Sequence, residues 1–270
     1  MFAFAGAEKW VFADHLLNVP MATIATTPAE AKNIEKEKID AAKPAFKAYA
    51  EALKFMTEHA AGLKGHASRG PELINAANYG YDQTVQMFAD GNALFIQQGN
   101  WAYSNIEKIN PETAKNVSFI PLKMPFTDEM IQDGRTAEQI NSSIIVTTGN
   151  YYAINAKVSE EQQKQAVEFL KWMEKEENVQ KWIIDSFKFI PYNVTPEMKL
   201  ENPLSESIQK YLSAGQTFND TVVGTPKTWS GEKVGTALLE QYIGKEEWDD
   251  ETLDQIADLC VNSWKELKSE

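Results

Sequence analysis

The stretch Phe88-Ala89-Asp90-Gly91-Asn92-Ala93-Leu94-Phe95-Ile96-Gln97-Gln98-Gly99-Asn100-Trp101-Ala102-Tyr103-Ser104-Asn105-Ile106 changes backbone conformation three times in a short run. A helix from about Asp82 to Phe88 stops at Asp90-Gly91, a dipeptide that favours a tight turn. Ala93-Leu94-Phe95-Ile96 reads as a short strand, and a new helix opens at Gly99-Asn100-Trp101. Helix, turn, strand and helix in immediate succession belong to α/β architecture.

Working outward, the chain begins with a small apolar segment, residues 2–7, read as a buried strand. Asp14 to Val19 is helical and Pro20 interrupts it. Thr27-Pro28 supplies an N-cap and a first-turn proline for a long helical region. Ala41, Ala45, Phe46, Tyr49, Leu53 and Met56 keep helical spacing, with a bend expected at Pro44. Gly62 to Gly70 reads as a loop. Downstream, Val117-Ser118-Phe119-Ile120 forms a strand ended by Pro121, and residues 124–141 are polar and irregular. Ser143 to Thr148 and Tyr151 to Ile154 read as strands. Ser159 caps an amphipathic helix to Met173 that continues through Val179 to Phe187. Phe189-Ile190-Pro191-Tyr192 is extended, and helices are expected over 205–213, 231–243 and 250–268.

The composition fits an ordinary globular chain: of 270 residues, 43% are apolar and 24% charged. A net charge of −13 excludes nucleic acid as the partner, since that interaction rests on basic surface. No apolar run approaches the roughly 20 residues that span a bilayer. The opening residues, broken by Glu8 and Lys9, do not make a secretion signal. The single cysteine, Cys260, lies on an amphipathic helix and reads as a core residue.

Signs of bond chemistry are few. His15, His59 and His66 have no His or Cys partner at metal-ligand spacing, so neither a metal nor another cofactor is expected. There is no Gly-x-Ser-x-Gly, phosphate loop or dinucleotide fingerprint. Asp128, Asp133 and Gly134 lack the spacing of a calcium loop. Acid pairs such as Asp249-Asp250 fall where a helix begins, and capping accounts for them.

Aromatic residues are more informative. Of seven tryptophans, Trp172, Trp182 and Trp264 lie on apolar helical faces and read as core, and Trp248 anchors a loop. Trp10, Trp101 and Trp229 sit at loop–helix junctions among polar residues. An indole face stacks on the C–H face of a sugar ring, while carboxylates and amides meet its hydroxyl rim. Partial burial at an element end is the competing reading of each.

The segment Phe88 to Ala102 resembles a hallmark of family 1 extracellular solute-binding proteins, the sugar receptors of ABC importers. Trp101-Ala102-Tyr103-Ser104-Asn105-Ile106 looks maltose-binding-protein-like. Val117 to Pro121, Tyr152-Ala153-Ile154-Asn155 with the helix after it, Phe189-Ile190-Pro191 and Trp229 follow in the family's order. The resemblance implies a non-enzymatic receptor that delivers a mono- or oligosaccharide to ABC permease subunits, at the extracellular face of the membrane or in the periplasm. By matching positions, Trp101 is the principal stacking residue, Trp229 a second, and Glu8 and Trp10 further contacts. Asn100 replaces a proline, Lys233 stands where the family carries an arginine, and His15 and Glu232 are weaker members of the set.

The same resemblance implies that residues 1–145 and 199–270 form the second lobe of a two-lobed, periplasmic-binding-protein-like α/β fold. Residues 146–198 would complete the first lobe, whose remainder, with export signal and lipid anchor, is not in this sequence. Apolar side chains such as Phe169 and Trp172 would then be exposed, unless the segment repacks or two copies associate as a homodimer. A glycoside-processing enzyme and a helical scaffold module are the rival readings. The first requires turnover that depends on Glu8 or Glu232. The second requires Trp101 and Trp229 to be buried.

Overall fold

The computed structural model describes residues 1–63, 65–147, 151–200 and 202–268. Its centre is a pair of long amphipathic helices, α1 (Lys43–Glu58) and α2 (Asp250–Leu267), packed along one another. Phe46, Tyr49 and Leu53 meet the face of Ile256, Ala257, Cys260, Val261 and Trp264 in one buried cluster. Full burial of each large side chain contributes about 1.5–3 kcal/mol. Lys43–Asp258 at 2.6 Å and Lys47–Asp254 at 2.8 Å border the seam in solvent, where such pairs add little. Asp249 caps α2 by accepting from the Thr252 amide. The bend expected at Pro44 is a helix start: a short helix, Lys36–Ala41, ends just before α1, and Pro44 sits in the first turn of α1, where no amide donor is needed.

The expected strand over residues 2–7 is shorter than its apolar run. Only β1 (Phe2–Ala3) pairs, in parallel with β2 (Phe95–Ile96), Phe2 opposite Phe95. The strand β2 therefore lies just before the Gly99–Trp101 junction, as the sequence reading expects. Ahead of it, α3 (Tyr81–Ala89) ends at Asp90, and Gly91 adopts the left-handed conformation (φ 76°) that the turn requires. After it come a 3₁₀ turn (Asn100–Ala102) and α4 (Tyr103–Ile109). A second two-stranded parallel sheet joins β3 (Ile144–Val146) to β4 (Thr217–Asn219). This pairing, and β4 itself, were not visible in the sequence.

Residues 117–120 form no strand. Instead Ser207, on α5 (Pro203–Ala214), donates to the Phe119 carbonyl and accepts from the Phe119 amide, each at 3.0 Å. The irregular region 124–141 contains a 3₁₀ turn, Asp128–Met130, and an α-helix, Ala137–Asn141, begun by a capping box between Thr136 and Gln139.

The segment 151–200 differs in character. Residues 151–154 are exposed and unpaired, not a strand. The expected helix is present as Glu160–Met173, with the capping box of Ser159 and Gln162. Trp172, expected in the core, is 40% exposed and stacks on exposed Phe169 with centroids 5.9 Å apart. Trp182 is only half-buried. The nearest apolar nucleus is small, built on Val179, Ile184 and Leu200. Thr148, read as the end of a strand, lies outside the described residues.

Candidate functional site

Two junctions, residues 8–15 and 97–101, meet beside the start of α3. Gly6 makes the turn into the first, since a Cβ there would run into the carbonyl of Leu73. Glu8 then reaches the N-terminus of α3, where its carboxylate accepts from the Tyr81 amide (3.2 Å) and from the Trp10 indole (3.0 Å). The capping position of α3 is Gly80, which has no side chain to give, so Glu8 supplies the missing acceptor across the fold. The Trp10 indole is thereby fixed.

His15 ends a wide π-helical turn, Val11–His15, that packs on a second one, Trp229–Gly235. Close packing of these turns explains Gly235, whose Cβ would sit 3.0 Å from that of Ala13. The imidazole meets Trp10 edge-on at 4.9 Å and Trp101 at 5.1 Å. Trp10 lies 6.3 Å from Trp101 and 6.0 Å from Tyr81, centroid to centroid. The Tyr81 hydroxyl accepts from Asn105 on α4. Trp101 is 40% exposed and its ring folds over the α-carbon of Gly99. The Gly-x-Trp spacing is a steric requirement here: any Cβ at position 99 would collide with that indole.

Burial holds His15 below its ordinary pKa, against the opposing pull of Asp220 and Asp14. A neutral imidazole is therefore the form present at pH 7. Three buried polar atoms on residues around this cluster lack a hydrogen-bond partner: Gln97 Oε1, beside His15, Gln98 Nε2, beside Trp101, and Asp220 Oδ1, whose charge acts on His15. The other ends of both glutamines are used. Gln97 Nε2 lies 3.5 Å from His15 Nδ1, and Gln98 Oε1 accepts from the Trp101 indole at 3.3 Å. Asp220 follows β4, where its amide donates to the Val146 carbonyl. Asn18 pulls that turn toward His15. Its Oδ1 accepts from the Val222 amide (3.0 Å) while its Nδ2 donates to the Asp14 carbonyl (3.0 Å).

The residues expected from sequence divide into three groups. Glu8, Trp10, His15 and Trp101 meet in one cluster. Asn100 opens the adjoining turn, half-buried, with no side-chain hydrogen bond among the described residues. Glu232 and Lys233 have other partners: Glu232 pairs with Lys9 at 3.1 Å, and Lys233 with Glu266 on α2 at 3.2 Å.

Trp229 is a correction. It is fully buried, packs edge-on against Phe46 and donates its indole N–H to the Cys260 carbonyl at 2.9 Å. It presents no face to a ligand. Its position before a helix suggested a cleft, but α1 and α2 close over it.

Tyr81, Gln97, Gln98 and Asp220 were missed. The glutamines adjoin Trp101 in sequence and could have been found as amides beside a stacking residue. Asp220 has no local signal at all.

Cys260 is fully buried, and burial pushes its thiol far above the usual range, so it is no nucleophile. Among the described residues no group of His, Cys, Asp and Glu side chains is arranged to hold a metal, and no helix is long and apolar enough to cross a membrane. Two open recesses, about 600 and 530 Å³, lie elsewhere and are lined mostly by charged side chains between Glu160 and Gln180. Both open widely to solvent, unlike an enclosed ligand pocket.

Residues 5–232 match the family model described as bacterial extracellular solute-binding protein. That description names no sugar. Searches of curated proteins and of solved structures return no match.

Proposed function

Because the chain belongs to the bacterial extracellular solute-binding proteins, we propose that it is the ligand-binding receptor of an ABC importer and takes a mono- or oligosaccharide on Trp10 and Trp101. The carrying observation is the union of flat aromatic surface and unpartnered polar atoms at one place. Trp101 offers an exposed indole beside Trp10 and His15, and Gln97, Gln98 and Asp220 border them with two acceptors and one donor unused. Leaving such a buried atom unpaired costs about 1–3 kcal/mol, which a ligand hydroxyl, both donor and acceptor, would recover. The C–H face of a pyranose suits the indoles.

The lobe organisation belongs to the same proposal. Residues 1–145 and 199–270 form one lobe, and 146–198 is the segment that completes the other. The exposed aromatics between Tyr151 and Tyr192 support this division, since such a surface fits a segment whose packing partners lie elsewhere. Hinge closure of the other lobe over the ligand would present a closed face to the permease. Lipid anchoring at the membrane is part of this reading.

Glu232 and Lys233 lie on the Trp229–Gly235 turn as exposed rim charges, paired with Lys9 and Glu266. A panel of neutral, amino and acidic saccharides, amino acids and short peptides, read by tryptophan fluorescence, tests the proposal. Quenching or a spectral shift with saccharides alone is expected. A response to amino acids or peptides with none to saccharides would overturn it.

A further inference from the structure

The charges around the cluster are one-sided. Glu8 and Asp14 approach it from the junction of residues 8–15, and Asp220 from the turn after β4. Among the described residues no lysine or arginine forms an ion pair with any of them. Lys9, the nearest cation in sequence, donates instead to Glu232 and Thr236. His15 is held neutral by its burial and provides no positive charge at pH 7.

The three carboxylates are not equally occupied. Both Glu8 oxygens accept internal donors, and Asp14 Oδ1 accepts from the Ser230 hydroxyl at 2.6 Å. Asp220 alone has a buried oxygen with no partner. A carboxylate accepts hydrogen bonds and cannot donate them, and its bonds to charged donors are shorter and stronger than those to neutral ones. The rings of Trp101 and Tyr81, with centroids 6.3 and 6.0 Å from that of Trp10, add an attraction for cations. The net charge of −13 acts in the same direction at longer range.

We infer that the ligand carries a protonated amine, an amino sugar in preference to a neutral or acidic one, and that Asp220 is the residue that selects it. Asp220 Oδ1 accepts from the ammonium group, Gln97 Oε1 and Gln98 Nε2 meet neighbouring hydroxyls, and the sugar ring lies on Trp101. A carboxylate on the ligand would face three like charges. This inference rests on the reading that the Trp10–Trp101 cluster is the ligand site.

The test is isothermal titration of the chain with four matched pyranoses: glucose, glucosamine, N-acetylglucosamine and glucuronic acid. Glucosamine should bind about tenfold more tightly than glucose, with a preference that weakens as salt is raised. N-acetylation, which removes the charge, should abolish the preference, and glucuronic acid should bind most weakly. Asp220→Asn should reduce the glucosamine-to-glucose ratio at least fivefold, with an unaltered circular dichroism spectrum showing that the variant is folded. Equal binding of glucose and glucosamine, or an unchanged ratio in Asp220→Asn, overturns the inference. If binding is equal and Trp101→Ala still abolishes it, only the amine selectivity falls. If none of the four binds, the amine inference falls, and if Trp101→Ala binds them all as before, the site reading falls with it.

Discussion

Two helices of similar amphipathic pattern have opposite fates in this chain. The face of α2, Asp250–Leu267, is wholly enclosed: Ile256, Cys260 and Trp264 have no exposure. The helix Glu160–Met173 has an N-terminal capping box and an apolar stripe, yet Phe169 is 54% exposed and Met173 is its only buried residue. Propensity and capping make a helix. Enclosure depends on what the rest of the chain brings to it. The body around α1 and α2 has a core of its own, whereas the segment 151–200 has a local helix, a three-residue nucleus and an uncovered aromatic face.

That contrast predicts unequal responses to the same substitution. Trp229→Ala should cost about 3–5 kcal/mol, because it empties a closed site and removes the indole's hydrogen bond to the Cys260 carbonyl. Trp172→Ala, at 40% exposure, should cost under about 1 kcal/mol. Chemical denaturation of both variants gives the two values, and equal losses would erase the distinction. Asn18→Ala should follow at about 1–3 kcal/mol, since the buried Val222 amide loses its acceptor. It should also weaken saccharide binding through displacement of the Asp220 turn, which calorimetry can follow.

Smaller effects sharpen the comparison within the exposed segment. Ser159→Ala removes one half of a capping box and should destabilise its helix by about 1 kcal/mol. Amide hydrogen exchange is the suitable readout: exchange should quicken over residues 160–173 while α1 and α2 stay protected. Uniform acceleration throughout the chain would mean that the segment and the body unfold together.

The smallest effect expected is on pH dependence. Burial lowers the His15 pKa in the folded state, so below the ordinary value of 6.5 the unfolded chain binds the proton more readily. Stability should therefore fall as pH drops through and below that value, and His15→Gln should flatten this part of the profile. Asp14 and Asp220 temper the loss by favouring the charged ring, and the Trp10 and Trp101 faces lie against it.

The sequence was most informative where structure is made locally. The turn at Gly91, the cap at Ser159 and the Gly99–Trp101 junction each depend on residues a few positions apart, and each lies where the spacing placed it. Reading failed where distant segments decide. Tyr151–Ile154 has strand character but nothing among the described residues to pair with. Residues 117–120 are held by one serine hydroxyl from α5, not by a neighbouring strand. Trp10 and Trp229 look alike as loop–helix tryptophans, yet one joins an open cluster and the other disappears beneath Phe46 and Cys260. Asp220 enters the site only through the pairing of β3 with β4 and the bridge made by Asn18. Hydrophobic periodicity contains neither fact.

The central claim is that Trp101, exposed between Trp10, His15 and the unpartnered glutamine and aspartate atoms, is the platform on which the ligand rests. Calorimetric titration of wild-type and Trp101→Ala chains with the tightest-binding saccharide tests it directly. The expected result is a loss of at least about tenfold in affinity, equivalent to about 1.4 kcal/mol, with only a small drop in melting temperature, since the side chain is 40% exposed. Wild-type affinity in Trp101→Ala would contradict the account.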